Sequence, residues 1–76
     1  MKNLTQTQIE TAVKILVNAQ RNELKESNYS REDLESIIFS ENDVVETFLR
    51  DNEISEESVD LESLRNYQHT MVQGLV

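Results

Sequence analysis

Between Met1 and Gln73 the chain contains no glycine and no proline; Gly74 is its one glycine. A multi-stranded sheet of this length needs several tight turns, and the favoured hairpin turns place residues at positive φ, which glycine supplies at no steric cost. Helices need no such residue and disfavour both glycine and proline in their interiors. The expected fold is all-α: a small bundle of three to four short helices.

Four helix starts can be read from a repeated pattern. An apolar residue precedes Ser or Thr, two spacers follow, and then come a polar and a second apolar residue. The copies are Leu4-Thr5 with Gln8-Ile9, Tyr29-Ser30 with Asp33-Leu34, Phe39-Ser40 with Asp43-Val44, and Ile54-Ser55 with Ser58-Val59. The hydroxyl accepts from a free N–H of the first turn, and the two apolar residues clamp the incoming chain. These starts place helix 1 over 5–27, helix 2 from Ser30, helix 3 over 41–52 and helix 4 over 56–73. An unbroken helix over 31–52 is the competing arrangement. A break near Ser40 is preferred, because Glu41 would intrude on the apolar face shared by Leu34, Ile37, Ile38, Val44, Val45, Phe48 and Leu49, and Ser40 is placed to cap a new start.

In helix 1, Ile9, Ala12, Val13, Leu16, Val17, Ala19 and Leu24 fall within an arc roughly 160° wide, broad for a helix resting on one neighbour. Lys14, Arg21 and Lys25 form a stripe on the opposite face. In helix 4, Leu61, Leu64, Gln68, Met71 and Leu75 follow the spacing of a coiled-coil seam. Seventy-six residues make one domain, 1–76, that buries only about 60–65% of its unfolded surface. No cysteine is present to form a disulfide or a thiolate metal site. Self-association is then the expected aid to stability, with the broad face of helix 1 and the seam of helix 4 continuing into a homodimer. No apolar run approaches the roughly 20 residues of a membrane span and no signal-type leader is visible, so a cytoplasmic protein is expected.

Charge is distributed unevenly. From Glu32 to Glu62 there are twelve acidic residues against Arg50, a net of −11 (one minus twelve) in a chain whose total is −8. Such an excess opposes phosphate backbones and anionic lipid and favours basic partners. Glu32, Asp33, Glu41, Asp43, Glu56 and Glu57 fall in the first turn of an expected helix, where the macrodipole favours each by ~0.3–1 kcal/mol. The other six, Glu35, Glu46, Asp51, Glu53, Asp60 and Glu62, have no such account and are the candidate partner-binding residues. Helical acids three or four apart lie ~5–6 Å from one another, comparable with phosphates along a strand. This suggests a DNA mimic; the plainer reading of such a run is a solubilising surface.

Other chemistry finds little support. Asp51, Glu53, Ser55, Glu57 and Glu62 fall in a calcium-loop register, but Glu56 stands where the loop needs glycine and Ser55 is placed to start a helix inside it. His69, the one histidine, should be exposed and has no expected base, nucleophile or metal partner. No nucleophile elbow, phosphate loop or Cys–His pair occurs, and a short helical chain encloses no pocket able to separate the pKa values of a carboxylate pair. No catalytic residue, cofactor or metal is expected. An acyl carrier would share the size, acidity and helical form, yet its Asp-Ser-Leu helix start is missing. The nearest string, Glu62-Ser63-Leu64, should lie inside helix 4. As a DNA reader, helix 3 carries too many acids for a major groove.

The expected function is a non-enzymatic protein–protein interaction module. It would be an inhibitor or adaptor that docks an acidic helical surface onto a basic, nucleic-acid-handling partner, in the manner of counter-defence proteins of mobile elements. Two alternatives stand beside it: a small nucleic-acid-binding regulator using Lys14, Arg21 and Lys25, and a purely structural oligomerisation unit.

Overall fold

The computed structural model describes residues 4–75, and these form helices with no strand among them. Helix α1 covers Gln6–Leu24 and α2 covers Arg31–Ser36, which runs on into a π-helical turn, Ile37–Glu41. Helix α3 covers Val44–Asp51, a 3₁₀ turn covers Glu56–Ser58, and α4 covers Leu61–Leu75. The result is the expected small bundle, 39 × 19 × 18 Å. Helix α1 pairs with α4, with α3 against α1 and α2 against α4.

The first two helix starts match the local pattern. Thr5 Oγ1 accepts from Gln8 N at 3.1 Å, and Gln8 Oε1 accepts from Thr5 N at 2.9 Å, closing a capping box. Ser30 Oγ accepts from Asp33 N at 3.2 Å. Helix α1 ends at Leu24 rather than Ser27, whose hydroxyl donates to the Leu24 carbonyl at 2.6 Å.

The other two starts differ from expectation. Ser40 caps nothing: the helix continues past it through the π turn, closed by Asn42 N donating to the Ile37 carbonyl at 2.7 Å. The break comes at Asn42, and Asp43 caps α3 through Oδ1, which accepts from Val45 N at 3.1 Å and Glu46 N at 3.3 Å. A π turn fits one extra residue into the helix, and here it keeps Ile38 fully buried while Glu41 stays exposed. Glu41 therefore lies at the end of the π turn, not in the first turn of α3.

Helix 4 starts five residues later than expected. Ser55 caps only the 3₁₀ turn, Val59 is extended, and α4 begins at Leu61. Asp60 caps it, its carboxylate accepting from Ser63 N at 3.3 Å and Ser63 Oγ at 2.9 Å. The cap is held in place from outside, since Asp60 N donates to Gln6 Oε1 in the first turn of α1 at 3.0 Å.

Ile9, Val13 and Val17 of α1, Leu34, Ile38, Val45, Leu49, and Leu64, Met71 and Val72 of α4 form the core. The seam of α4 is consumed here: Leu64, Gln68 and Met71 are buried against the chain's own elements, so the seam is not a face open to a second copy. Only one flank of α1's arc is covered. On the other flank Leu16 is 37% exposed and Ala19 is exposed, and Ile15, just beyond the arc, is 64% exposed.

Candidate interaction surface

One acidic residue of the 32–62 run faces inward. Asp43 is 5% exposed and uses both oxygens. Besides its two backbone N–H donors, Oδ1 accepts from Gln68 Nε2 at 2.9 Å, and Oδ2 accepts from Arg65 Nη1 at 2.6 Å. Arg65 Nη1 also donates to Gln68 Oε1 at 2.9 Å, and Gln68 Nε2 lies 3.4 Å from the Ile38 carbonyl. Burial alone would raise the Asp43 pKa. The bonds from Arg65, Gln68 and Glu46 N, with the Arg65 charge, outweigh it and hold the carboxyl below its ordinary value. Asp43 therefore fixes the α2–α3 junction onto α4 and leaves the outward surface to the remaining acids.

Those eleven acids are all exposed, including every candidate, but capping explains more of them than the sequence indicated. Glu46 lies in the first turn of α3, Asp60 is the cap of α4, and Glu62 lies in α4's first turn. Three candidates remain without a helix N-terminal role. Glu35 Oε1 lies 3.4 Å from Arg31 Nε, one turn earlier on α2. Asp51 ends α3, with Oδ1 3.9 Å from Arg50 Nε. Glu53 sits at φ 55, the left-handed position after α3.

The structure does not line the candidates up on one helix face. At 100° per residue Glu46 and Asp51 are roughly 140° apart around α3. Asp51 turns towards a groove of about 250 Å³ that it lines with Leu16, Val44 and Phe48. The chain between Asp51 and Glu62 then carries Glu53, Asp60 and Glu62 around the 3₁₀ turn.

Glu53 is the residue that closes α3. Glu53 N donates to Arg50 O at 3.1 Å and Ile54 N donates to Leu49 O at 2.8 Å, the paired bonds of a Schellman motif. That motif ordinarily uses glycine, because a Cβ at positive φ is strained.

In the calcium-like register, Ser55 caps the 3₁₀ turn and Glu62 belongs to α4. No three His, Asp or Glu side chains among the described residues converge on a common point. His69 is exposed as expected, with its ring centroid 4.8 Å from that of Phe39. Glu62-Ser63-Leu64 lies in the first turn of α4, not mid-helix, and the Ser63 hydroxyl is engaged by Asp60. The stripe of Lys14, Arg21 and Lys25 is exposed, and Lys14 Nζ stands 5.3 Å from the Tyr67 ring centroid.

Two structural residues escaped the sequence reading. Arg65 had no assigned role, although its place three residues before the polar seam member Gln68 was a usable signal. Gln20 falls inside the apolar arc of α1, where it is 4% exposed and donates from Nε2 to the Asn42 carbonyl at 2.9 Å. That bond holds the far end of the π turn.

No protein-family model, curated protein or solved structure matches the chain. No helix among the described residues is long and apolar enough to cross a membrane.

Proposed function

We propose that the protein is a non-enzymatic interaction module, an inhibitor or adaptor that presents carboxylates to a basic partner. One observation carries this reading: the 32–62 run exposes eleven acids against the single cation Arg50, and the one remaining acid is folded inward as a structural hub. A field of this sign raises the encounter rate with a cationic surface and repels nucleic acid. Of the six candidates, Glu35, Asp51 and Glu53 are best placed to serve a partner, because no helix N-terminus accounts for their charge; Glu46, Asp60 and Glu62 can add to the field while stabilising helix ends. A homodimer in this reading uses the uncovered flank of α1, Ile15, Leu16 and Ala19, since α4 is already occupied.

The test is affinity capture from the native cell, followed by titration of the purified captured protein. Glu35→Lys/Asp51→Lys/Glu53→Lys should weaken binding at least about tenfold, and wild-type affinity should fall with salt. A DNA column should retain nothing. Retention on DNA, or a captured partner indifferent to the triple variant, would overturn the reading.

A further inference from the structure

A groove of about 500 Å³ runs between α1 and α4, within the size range of small-molecule sites. Its floor is apolar: Val17 and Met71, both buried, with the half-buried Tyr67 beside them. The exposed Lys14 and Arg21 form one rim, two helical turns or roughly 10 Å apart along α1. Gly74 stands on the α4 side.

Two features distinguish this groove. The chain has fifteen acidic residues, yet none lines it, whereas Asp33 and Glu41 line a second depression and Asp51 a third. Despite that excess of carboxylates, neither Lys14 nor Arg21 is ion-paired among the described residues. The Lys14 ammonium lies over the Tyr67 ring, whose hydroxyl donates to Glu10 Oε1 at 3.1 Å. This fixes the ring as a wall and occupies the Glu10 carboxylate outside the groove.

The second feature is the chain's single glycine. A Cβ at Gly74 would meet nothing within 4 Å, and the residue is not at positive φ. The fold does not require glycine there, and helix propensity favours alanine. Its missing side chain leaves that end of the groove open.

We propose that this groove binds a small organic anion with an apolar body, a carboxylate or sulfonate on a short aliphatic or aromatic frame. The head group meets Lys14 and Arg21, and the body lies on Val17, Met71 and Tyr67. The acidic run does not cancel the attraction. None of its residues lines the groove, and exposed charges separated by more than the ~8 Å screening length at physiological salt interact weakly.

The experiment titrates decanoate against the full chain by calorimetry, with decyltrimethylammonium as the cationic counterpart. Decanoate should bind once per chain, weaken as salt rises, and exceed the cation at least about tenfold in affinity. Lys14→Ala and Arg21→Ala, both at exposed positions, should each weaken it about fivefold. Gly74→Phe should block it while the helical circular dichroism and thermal midpoint are retained. Absence of decanoate binding at millimolar concentration, equal binding of the cation, or full binding by a folded Gly74→Phe chain would overturn the proposal. So would a single-stranded oligonucleotide that binds through Arg21 while decanoate fails to displace it.

Discussion

Asp43 and Arg65, twenty-two positions apart in sequence, meet at 2.6 Å, and the carboxylate end of the pair is 5% exposed. The contact joins the residue that caps α3 to the second turn of α4. Its surroundings complete it, because Gln68 bonds to both partners. A buried pair of this kind adds less than its Coulomb energy suggests, but breaking it leaves a charge without compensation. Asp43→Ala removes a helix cap and strands Arg65 and Gln68 together, and should cost about 3 kcal/mol. Arg65→Ala should cost about 2 kcal/mol, less because the guanidinium is partly in water. Urea unfolding of both variants checks the order; an Asp43→Ala chain within 0.5 kcal/mol of wild type, about the effect of an ordinary surface change, would refute it.

Acid sensitivity follows from the same residue. Its folded pKa is depressed below the reference 3.8, so the folded state holds its proton less tightly than the unfolded chain does. The resulting stability is present above the unfolded pKa and is lost as pH falls from 3.8 through the lower folded value. Asp43→Asn should flatten this part of the stability–pH curve. Chemical denaturation at a series of pH values between neutrality and pH 2 reads it directly.

Glu53 offers a stability gain. Its φ of 55 places a Cβ where glycine normally sits in a Schellman motif. Glu53→Gly should stabilise the protein by about 1 kcal/mol and raise the thermal midpoint. If Glu53 also contacts a partner, the same variant should be more stable and bind more weakly, a combination that a purely structural residue would not give.

The uncovered flank of α1 bears on oligomeric state. Ile15 is 64% exposed and should be a contact in a homodimer built on this flank. Light scattering should then give a molar mass near twice the monomer's 8.8 kDa, and Ile15→Asp should return it to the monomer value with the helical signal intact. A wild-type chain that scatters as a monomer at tens of micromolar would rule the dimer out at that concentration.

What the residues alone made readable was local. The scarcity of glycine and proline dictated helices, and Thr5 and Ser30 announced two starts because their hydroxyls reach N–H groups only three residues on. The core positions followed from period and hydrophobicity, as Ile9, Val13 and Val17 show on α1 and Leu64 and Met71 on α4. Ser40 and Ser55 carried the same local pattern, and there it misled. Asp43 displaced Ser40 as the cap because its carboxylate also satisfies Arg65 and Gln68, on a helix whose approach no short window of sequence records. Asp60 began α4 in place of Ser55 because Gln6, fifty-four positions away, takes up its N–H. Capping geometry is written in neighbouring residues, but the choice between two competent caps was made by which one the packed helices could also bond, and that information exists only once the chain has folded.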